Sequence, residues 1–285
     1  MPPDLVGKSI KQGLKDGAAR LKNHGFQSPM RDVRLLLAHA VGLEVDRLNL
    51  HADDILDSSS EAKFRGFLDQ RISRTPVSRI LGSRLFYGRK FNNSQYVLDP
   101  RPETETLIEL ALVYEFERVL DLGTGSGCIA VTLAAERPYA KVVASDISEH
   151  ALQTAKVNAD RLGVRDRTEF VVSDWFQSIE GQFDLIVSNP PYIHPKEMLD
   201  LAPEVAEHDP EIALTDNVDG LTAYRAISKA AYMHLVDGGR ILVEIGPRQA
   251  KDVRDLFLMS GLENVEVHAD LDGRDRVVSA IKANS

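Results

Sequence analysis

The chain has 285 residues, with 34 Lys+Arg against 43 Asp+Glu, a net charge of −9 and a single cysteine. The length suits about two domains. Because Cys128 is the only cysteine, no intramolecular disulfide can form. No apolar run approaches the ~20 residues that span a bilayer. Residues Met1–Asp4 lack the basic-then-apolar pattern of a signal peptide. We therefore expect a cytoplasmic protein in a reducing compartment, with no membrane association.

The charge is unevenly distributed along the chain. Residues 1–90 contain 16 Lys+Arg and 10 Asp+Glu, a net charge of +6, whereas residues 91–285 contain 18 and 33, a net charge of −15. The acidic part would repel a phosphate backbone, so we expect no stable nucleic-acid binding there. The basic part either steers an acidic partner or serves only solubility, and the composition leaves both readings open.

Residues 1–82 are predicted to form a small all-α bundle. Apolar side chains recur at helical spacing, as in Val33, Leu36 and Leu37. Ser28-Pro29 is typical of a helix cap followed by proline at the first helical position. The predicted helices cover residues 4–24, 28–41, 43–50, 58–74 and 76–82.

The pattern changes in residues 83–98, which we interpret as a β-hairpin linker between the bundle and a domain over residues 99–285. Apolar and aromatic residues flank Gly88, which lies near the turn. Beyond it, Pro102 is expected to open a helix that runs to about Tyr114. Glu103 and Glu105 either complement the start of that helix or act at a functional site, and the sequence does not decide.

From Arg118 onward, apolar strands alternate with amphipathic helices, which predicts βαβ units and a mostly parallel sheet. The short connection Asp270–Arg274 cannot make a parallel crossover, so the last two strands must pair antiparallel. We therefore predict a Rossmann-like α/β fold with a seven-stranded sheet and a terminal antiparallel hairpin. The predicted strands are 118–122, 141–146, 168–172, 183–188, 239–245, 263–269 and 275–282, and the predicted helices 126–136, 148–162, 219–235 and 247–260.

A glycine loop joins the first of these strands to its helix, with Gly123, Thr124, Gly125, Ser126 and Gly127 following Asp121 and Leu122. Glycines allow close approach of a ligand, and a helix N-terminus offers N–H groups to an anion. A P-loop would need a lysine that is absent here, and a dinucleotide site would prefer glycine in place of Cys128. The remaining reading is a methionine-derived nucleoside cofactor, with its carboxylate on the loop and its ammonium group held by Asp121.

Three further residues lie at successive strand ends. Asp146 follows the next strand and suits the hydroxyls of a ribose. Trp175, the only tryptophan, could pack on a purine, and Asp174 could accept a hydrogen bond from its exocyclic amine. Individually, Asp146 could be a helix cap and Trp175 a core residue, but together these residues indicate S-adenosylmethionine.

The tetrapeptide Asn189-Pro190-Pro191-Tyr192 follows the apolar strand 183–188. The two prolines restrict the backbone, so Asn189 is held at the carboxyl end of a strand, where α/β sheets bind ligands. The Asn189 side-chain oxygen and the Pro190 carbonyl are two acceptors that could bind both hydrogens of an NH2 group. Tyr192 offers a flat face to a planar substrate. We therefore predict that Asn189, Pro190 and Tyr192 are catalytic, that all four residues bind substrate, and that Asn189 also contacts the cofactor.

These motifs resemble class I S-adenosylmethionine-dependent methyltransferases, and specifically the HemK/PrmC-type family. The resemblance spans nearly the whole chain, including the helical N-terminus. One departure is Asp99, because many members carry an apolar residue there, and this leaves the local packing open. The matching segments are 79–82, 100–105, 121–127, 189–192, 219–221 with 224–225, and 272–277.

The resemblance implies an enzyme that transfers a methyl group from S-adenosylmethionine to the N5 nitrogen of the glutamine in the Gly-Gly-Gln motif of class 1 peptide chain release factors. S-adenosylhomocysteine would be the product, and the helical domain would recognise the substrate. We expect a monomer. We also expect no metal, because His194 and His208 lack companion ligands. The alternative is an adenine N6-methyltransferase acting on DNA or RNA, since such enzymes share the Asn-Pro-Pro-Tyr motif.

Overall fold

The computed structural model of the protein describes residues 7–284. The chain divides into two units, Met1–Gly82 and Ser83–Ser285. The segment Met1–Asp4 and the first residues of the helix predicted over 4–24 lie outside the described residues. None of the helices within residues 7–284 has the length and apolar character needed to cross a membrane.

Within residues 7–82, the first unit has four α-helices around one apolar core that includes Leu36, Leu37 and Phe64. The first helix begins later than predicted, at Ile10, because Ser9 and Gln12 form a capping box there. The segment 43–50, which was predicted to be helical, forms a short 3-10 helix, Val45–Asn49. The α-helices are α1 (Ile10–Asn23), α2 (Pro29–Val41), α3 (Ser58–Ile72) and α4 (Val77–Leu81).

The second unit opens with an antiparallel hairpin of β1 (Ser83–Phe86) and β2 (Arg89–Asn92). Asp99, whose packing the sequence left open, is buried and accepts hydrogen bonds from Arg84 Nη1 and Asn93 Nδ2, each at 2.9 Å. A buried carboxylate needs such partners to offset its desolvation. Asp99 therefore ties the hairpin to the segment that precedes the next helix.

The main sheet has seven strands in the order β5-β4-β3-β6-β7-β9-β8. They are β3 (Arg118–Leu122), β4 (Lys141–Asp146), β5 (Thr168–Val172), β6 (Phe183–Ser188), β7 (Leu235–Glu244), β8 (Glu263–Ala269) and β9 (Asp275–Ile281). The first five of these strands in chain order are parallel, and β9 pairs antiparallel with both β7 and β8. The predicted Rossmann-like sheet and its terminal hairpin are thereby confirmed.

The helices of the second unit start later than predicted. Side chains hold the preceding residues in turns: Asp216 accepts from the N–H groups of Val218, Gly220 and Thr222 and thereby delays the helix expected from residue 219. The helix expected over 102–114 is a 3-10 turn, Pro102–Thr104, followed by an α-helix that ends at Leu112. The helices are α5 (Glu105–Leu112), α6 (Cys128–Glu136), α7 (Glu149–Arg161), a short α8 (Pro203–Ala206), α9 (Thr222–His234) and α10 (Ala250–Met259).

Strand β7 also differs from its prediction, because it begins at Leu235 rather than at residue 239. Leu235 pairs with Phe183, and the register then shifts before Leu185 pairs with Arg240. Gly238 adopts a left-handed conformation with φ +76°, which glycine allows at this irregularity. Two buried clusters, which include Val119 and Leu120 respectively, form the core of this unit.

Candidate active site

The carboxyl ends of β3, β4 and β6 and the loop after β5 meet at one pocket of about 210 Å³. This is the edge at which open parallel sheets bind ligands. Nine of the residues predicted for the site line this pocket, which we call the first pocket. They are Gly123, Thr124, Gly125, Ser126, Asp146, Asp174, Trp175, Asn189 and Pro191.

Gly127 was predicted to contact the cofactor, but it does not line the first pocket. Its φ of +78° ends the loop before α6, and a Cβ there would lie 3.0 Å from the Cβ of Ala155. Glycine at this position therefore allows α6 and α7 to pack closely. In the structure, Gly127 therefore shapes the end of the loop and does not line the pocket.

Asp121 also lies behind the pocket wall and is fully buried. Its Oδ2 accepts hydrogen bonds from Thr124 Oγ1 at 2.6 Å and from the Ala130 N–H at 3.1 Å. Burial raises the pKa of Asp121 to about 7, although these hydrogen bonds oppose the shift. Its Oδ1 is buried and has no hydrogen-bond partner among residues 7–284.

Asp146 connects the glycine loop to α7. One carboxylate oxygen accepts from the Gly125 N–H and the other from the Ser148 N–H, each at 2.9 Å. Burial raises the pKa of Asp146, while these donors favour its charged form. Ser148 and not Asp146 is the N-cap of α7, so the carboxylate of Asp146 holds the turn before the helix. Asp146 can also serve in the pocket wall, because each of its oxygens keeps a second lone pair.

The turn after β5 holds Trp175 with a φ of +49°, a left-handed conformation that is uncommon for a bulky residue. Ser173 stabilises this turn, because its Oγ donates to the Trp175 carbonyl at 2.8 Å and accepts from the Ser178 N–H at 3.0 Å. Asp174 is exposed and accepts from Gln177. Trp175 lies near Gly123, so the indole ring and the glycine loop form adjacent walls of the first pocket.

A second pocket of about 220 Å³ adjoins the first and is lined by Pro190, Tyr192, Glu244 and Arg276 among others. Four residues line both pockets, and Asn189 is one of them. The tetrapeptide is therefore divided, with Pro191 in the first pocket and Pro190 and Tyr192 in the second. Asn189 is where a group in one pocket can meet a group in the other.

Two further residues of the pocket walls, Thr104 in the first pocket and Glu244 in the second, were not predicted for the site. Thr104 Oγ1 donates to Glu244 Oε2 at 2.6 Å and accepts from Asn189 Nδ2 at 3.2 Å. The only sequence signal for Glu244 is that it is an acid at the end of a strand. Of the two acids left open, Glu103 lines the second pocket, whereas Glu105 accepts from the Tyr87 N–H at 2.8 Å, away from both pockets.

The tetrapeptide is also anchored through its backbone. Gln249 Nε2 donates to the carbonyl of Tyr192 at 2.9 Å and to the carbonyl of Gly220 at 3.0 Å. Gln249 Oε1 accepts from the Gly246 N–H at 3.0 Å. One half-buried amide thus fixes the position of three loop segments around the second pocket.

Metal ligation and thiol chemistry find little support here. No group of three or more His, Cys, Asp or Glu residues within the described part of the chain could hold a metal ion. His194 accepts from the Lys196 N–H at 3.1 Å. Burial raises the pKa of the Cys128 thiol to about 12, so this residue in the first pocket is a poor nucleophile.

Comparison with known proteins gives consistent matches along the chain. Residues 97–212 match the family described as "Methyltransferase small domain", and residues 12–82 match "PrmC N-terminal domain". A protein of Cereibacter sphaeroides named "Release factor glutamine methyltransferase" is 51% identical over 94% of this chain and 96% of its own length. A protein of Rhodospirillum rubrum with the same name is 43% identical over 94% of this chain and 83% of its own length.

Solved structures agree on the fold. A methyltransferase from Pyrococcus furiosus superposes with a TM-score of 0.56 and 16% identity, covering 75% of this chain and 99% of its own. At that level of identity the match concerns the architecture of the sheet and its helices, and function must be argued from the site itself.

Proposed function

The chain belongs to the release factor glutamine methyltransferase family, and on that premise we propose that it methylates the side-chain amide nitrogen (N5) of the Gly-Gly-Gln glutamine in class 1 peptide chain release factors. The family resemblance inferred from the motifs is confirmed by these relatives. The observation that carries the proposal is the position of Asn189 in the walls of two adjoining pockets. One pocket suits a cofactor and the other a planar amide.

The first pocket fits S-adenosylmethionine, which supplies an electrophilic methyl group when bound. The glycine loop would approach the amino acid moiety, and Asp146 and Trp175 suit ribose and adenine. Asp121, predicted to hold the ammonium group, is buried behind the loop and would support it through the hydrogen bond from Thr124. Apolar walls with a few polar groups are typical of such sites. The cofactor role of each of these residues is part of the proposal.

In the second pocket, Asn189 and Pro190 would bind the substrate amide. Neither Asn189 Oδ1 nor the Pro190 carbonyl accepts a hydrogen bond within residues 7–284, so both acceptors are available for the two N–H groups of a carboxamide. A carboxamide nitrogen is a poor nucleophile because its lone pair is delocalised. Binding both hydrogens orients that nitrogen and stabilises the positive charge that develops on it.

No base is required in this scheme. The two acceptors lower the barrier while the amide keeps both protons, and the extra proton leaves to water after transfer. Tyr192 lies beside them in the second pocket, where its ring can pack against the apolar part of the glutamine side chain. Burial and the nearby Glu244 raise the pKa of Tyr192, which keeps its hydroxyl protonated.

The direct experiment is to incubate a class 1 release factor with the protein and isotope-labelled S-adenosylmethionine, and to locate the label by peptide mass spectrometry. We expect label on the glutamine of the Gly-Gly-Gln motif. A release factor with glutamate at that position is the matched control. Label elsewhere, or equal label on the control, would contradict the proposed substrate.

Asp146→Asn is expected to weaken the affinity for S-adenosylhomocysteine about tenfold or more, because Asn keeps only one acceptor for two backbone donors and loses the charge. Isothermal titration calorimetry would measure this. Asp272→Asn, on an exposed turn, is the control and should bind normally. Unchanged affinity in Asp146→Asn would show that this carboxylate does not shape the cofactor site.

We further propose that the helical unit recognises the release factor, because a single glutamine side chain buries little area compared with a stable interface. Deleting residues 1–75 should raise the apparent KM for the release factor at least about tenfold, equivalent to ~1.4 kcal/mol of binding. Affinity for S-adenosylhomocysteine should change little, which provides the internal control. A KM equal to that of the full chain would reject this role.

The remaining parts of the proposal concern location and assembly. We place the reaction in the cytoplasm, where release factors act, and expect a monomer without stable nucleic-acid binding. The net charge of −15 in residues 91–285 supports the last point.

A further inference from the structure

We propose that Glu244 and Thr104 fix the orientation of the Asn189 amide, and that this orientation makes the second pocket accept a glutamine side chain and reject glutamate. The inference rests on the proposed function, since it concerns the same substrate. It assigns Glu244 and Thr104 as positioning residues, because they act on the substrate through Asn189.

The three side chains form one continuous hydrogen-bonded chain. Thr104 Oγ1 donates to Glu244 Oε2 at 2.6 Å, and Asn189 Nδ2 donates to Thr104 Oγ1 at 3.2 Å. Glu244 and Thr104 are 1% and 2% exposed, so solvent does not compete for these bonds. Glu244 ends β7, Thr104 precedes α5 and Asn189 follows β6. The hydrogen-bonded side chains therefore link three separate elements in the walls of the two pockets.

The donor-to-acceptor direction of these hydrogen bonds follows from the number of protons available. An ionised carboxylate can only accept, and a hydroxyl has a single proton to donate. Because Thr104 gives that proton to Glu244, its oxygen can only accept from Asn189. The Asn189 amide must then present NH2 to Thr104 and keep Oδ1 for the substrate. An amide orientation has to be inferred from such a network, and here the network allows only one.

The orientation determines which substrate can bind. Neither Oδ1 nor the Pro190 carbonyl accepts a hydrogen bond within residues 7–284, so the pocket matches the two N–H groups of a carboxamide. A glutamate side chain has the same shape, but its carboxylate offers only acceptors and would face two more. A rotated Asn189 amide would instead present N–H donors and favour the carboxylate. Discrimination between the two side chains therefore depends on Thr104 and Glu244.

Glu244 also contacts the other end of the tetrapeptide, since the Tyr192 hydroxyl donates to Glu244 Oε1 at 3.4 Å. Burial raises the pKa of Glu244 to about 7, while Thr104, Arg276 and Tyr192 favour its ionised form. The other charged or titratable groups that interact with it are Glu103, Cys128 and Tyr224. Measurements at pH ~8.5 keep this carboxylate ionised, the state in which it only accepts.

The experiment compares the binding of two release factors, one with glutamine and one with glutamate in the Gly-Gly-Gln motif, in the presence of S-adenosylhomocysteine. Calorimetry at pH ~8.5 gives the ratio of dissociation constants without relying on turnover. The main variant is Thr104→Val, which keeps the shape and removes the hydroxyl. Thr104→Ser restores the hydroxyl. Thr132→Val is the matched control, because Thr132 is fully buried in α6 and its Oγ1 has no hydrogen-bond partner within the described residues.

We expect the wild type, Thr104→Ser and Thr132→Val to prefer the glutamine form, and Thr104→Val to lose at least about tenfold of that preference. An unchanged preference in Thr104→Val would overturn the positioning role. A wild type without any preference would overturn the proposed function as well, so the two failures are distinguishable. If Thr104→Val does not bind S-adenosylhomocysteine, Glu244→Leu replaces it, because leucine removes the acceptor to which the Thr104 hydroxyl donates. Retained preference in that variant would also overturn the proposal.

Discussion

Replacing Asn189 with alanine is expected to lower kcat for release factor methylation by at least ~10²-fold, because the variant loses the acceptor that orients the amide and stabilises charge on its nitrogen. Asn189 is one of more than twenty residues that line the first pocket. Affinity for S-adenosylhomocysteine should therefore stay within about threefold of wild type, since the other predicted cofactor contacts remain.

The control for this variant is Gln182→Ala. Gln182 is an exposed amide just before β6, whereas Asn189 follows the opposite end of the same strand. Its replacement should leave kcat and cofactor affinity unchanged. Single-turnover methylation of a release factor, with calorimetry of the cofactor product, would check both variants. Near-normal methylation by Asn189→Ala would refute the catalytic role of this side chain.

The second large effect is expected from Gly220→Ala. A Cβ at Gly220 would overlap the Tyr192 carbonyl oxygen and lie 2.9 Å from Gln249 Nε2, and the φ of +74° adds backbone strain. The Tyr192 backbone must then move, and with it the acceptors of the tetrapeptide. Because a displacement of ~1 Å at a reacting centre can cost ~10²-fold in rate, we expect kcat to fall by ~10- to 100-fold.

A matched glycine separates the overlap from the strain. Gly163 has a φ of +70°, and a Cβ added there would meet no atom within 4 Å, so Gly163→Ala carries the strain alone. Thermal unfolding should report a loss of ~1–2 kcal/mol in Gly163→Ala and a larger loss in Gly220→Ala, and methylation kinetics a loss in Gly220→Ala only. Equal losses of kcat in the two variants would show that the overlap with Tyr192 is not the cause of the lower rate.

Much of this architecture could be predicted from local sequence. Strands 118–122, 141–146, 168–172, 183–188 and 263–269 have the predicted bounds, because apolar runs between glycines, prolines and polar residues are local signals. The antiparallel end of the sheet followed from the shortness of the last connection. The predicted starts of the helices were less accurate. The observed starts depend on specific side-chain or backbone geometry at Ser9, Gly127 and Asp216.

The candidate site was predictable where its residues follow strand ends. Nine predicted residues meet at the first pocket, because the carboxyl ends of parallel strands share one edge of the sheet. Asp121 and Gly127 lie behind that wall instead. The sequence shows which residues belong to the loop, but the direction of each side chain depends on how α6 and α7 pack.

By itself, then, the sequence determined the order of elements, the family and the tetrapeptide, because each depends on contiguous residues. Only the tertiary structure decided that Thr104 and Glu244, which are 140 residues apart, join Asn189 in one hydrogen-bonded network. It also decided that Glu105 supports the hairpin while Glu103 lines a pocket. The physical reason is that a hydrogen bond depends on the distance and direction between its donor and acceptor in space. Folding of several βα units brings together donors and acceptors that are far apart along the chain, and their separation in sequence does not predict that distance or direction.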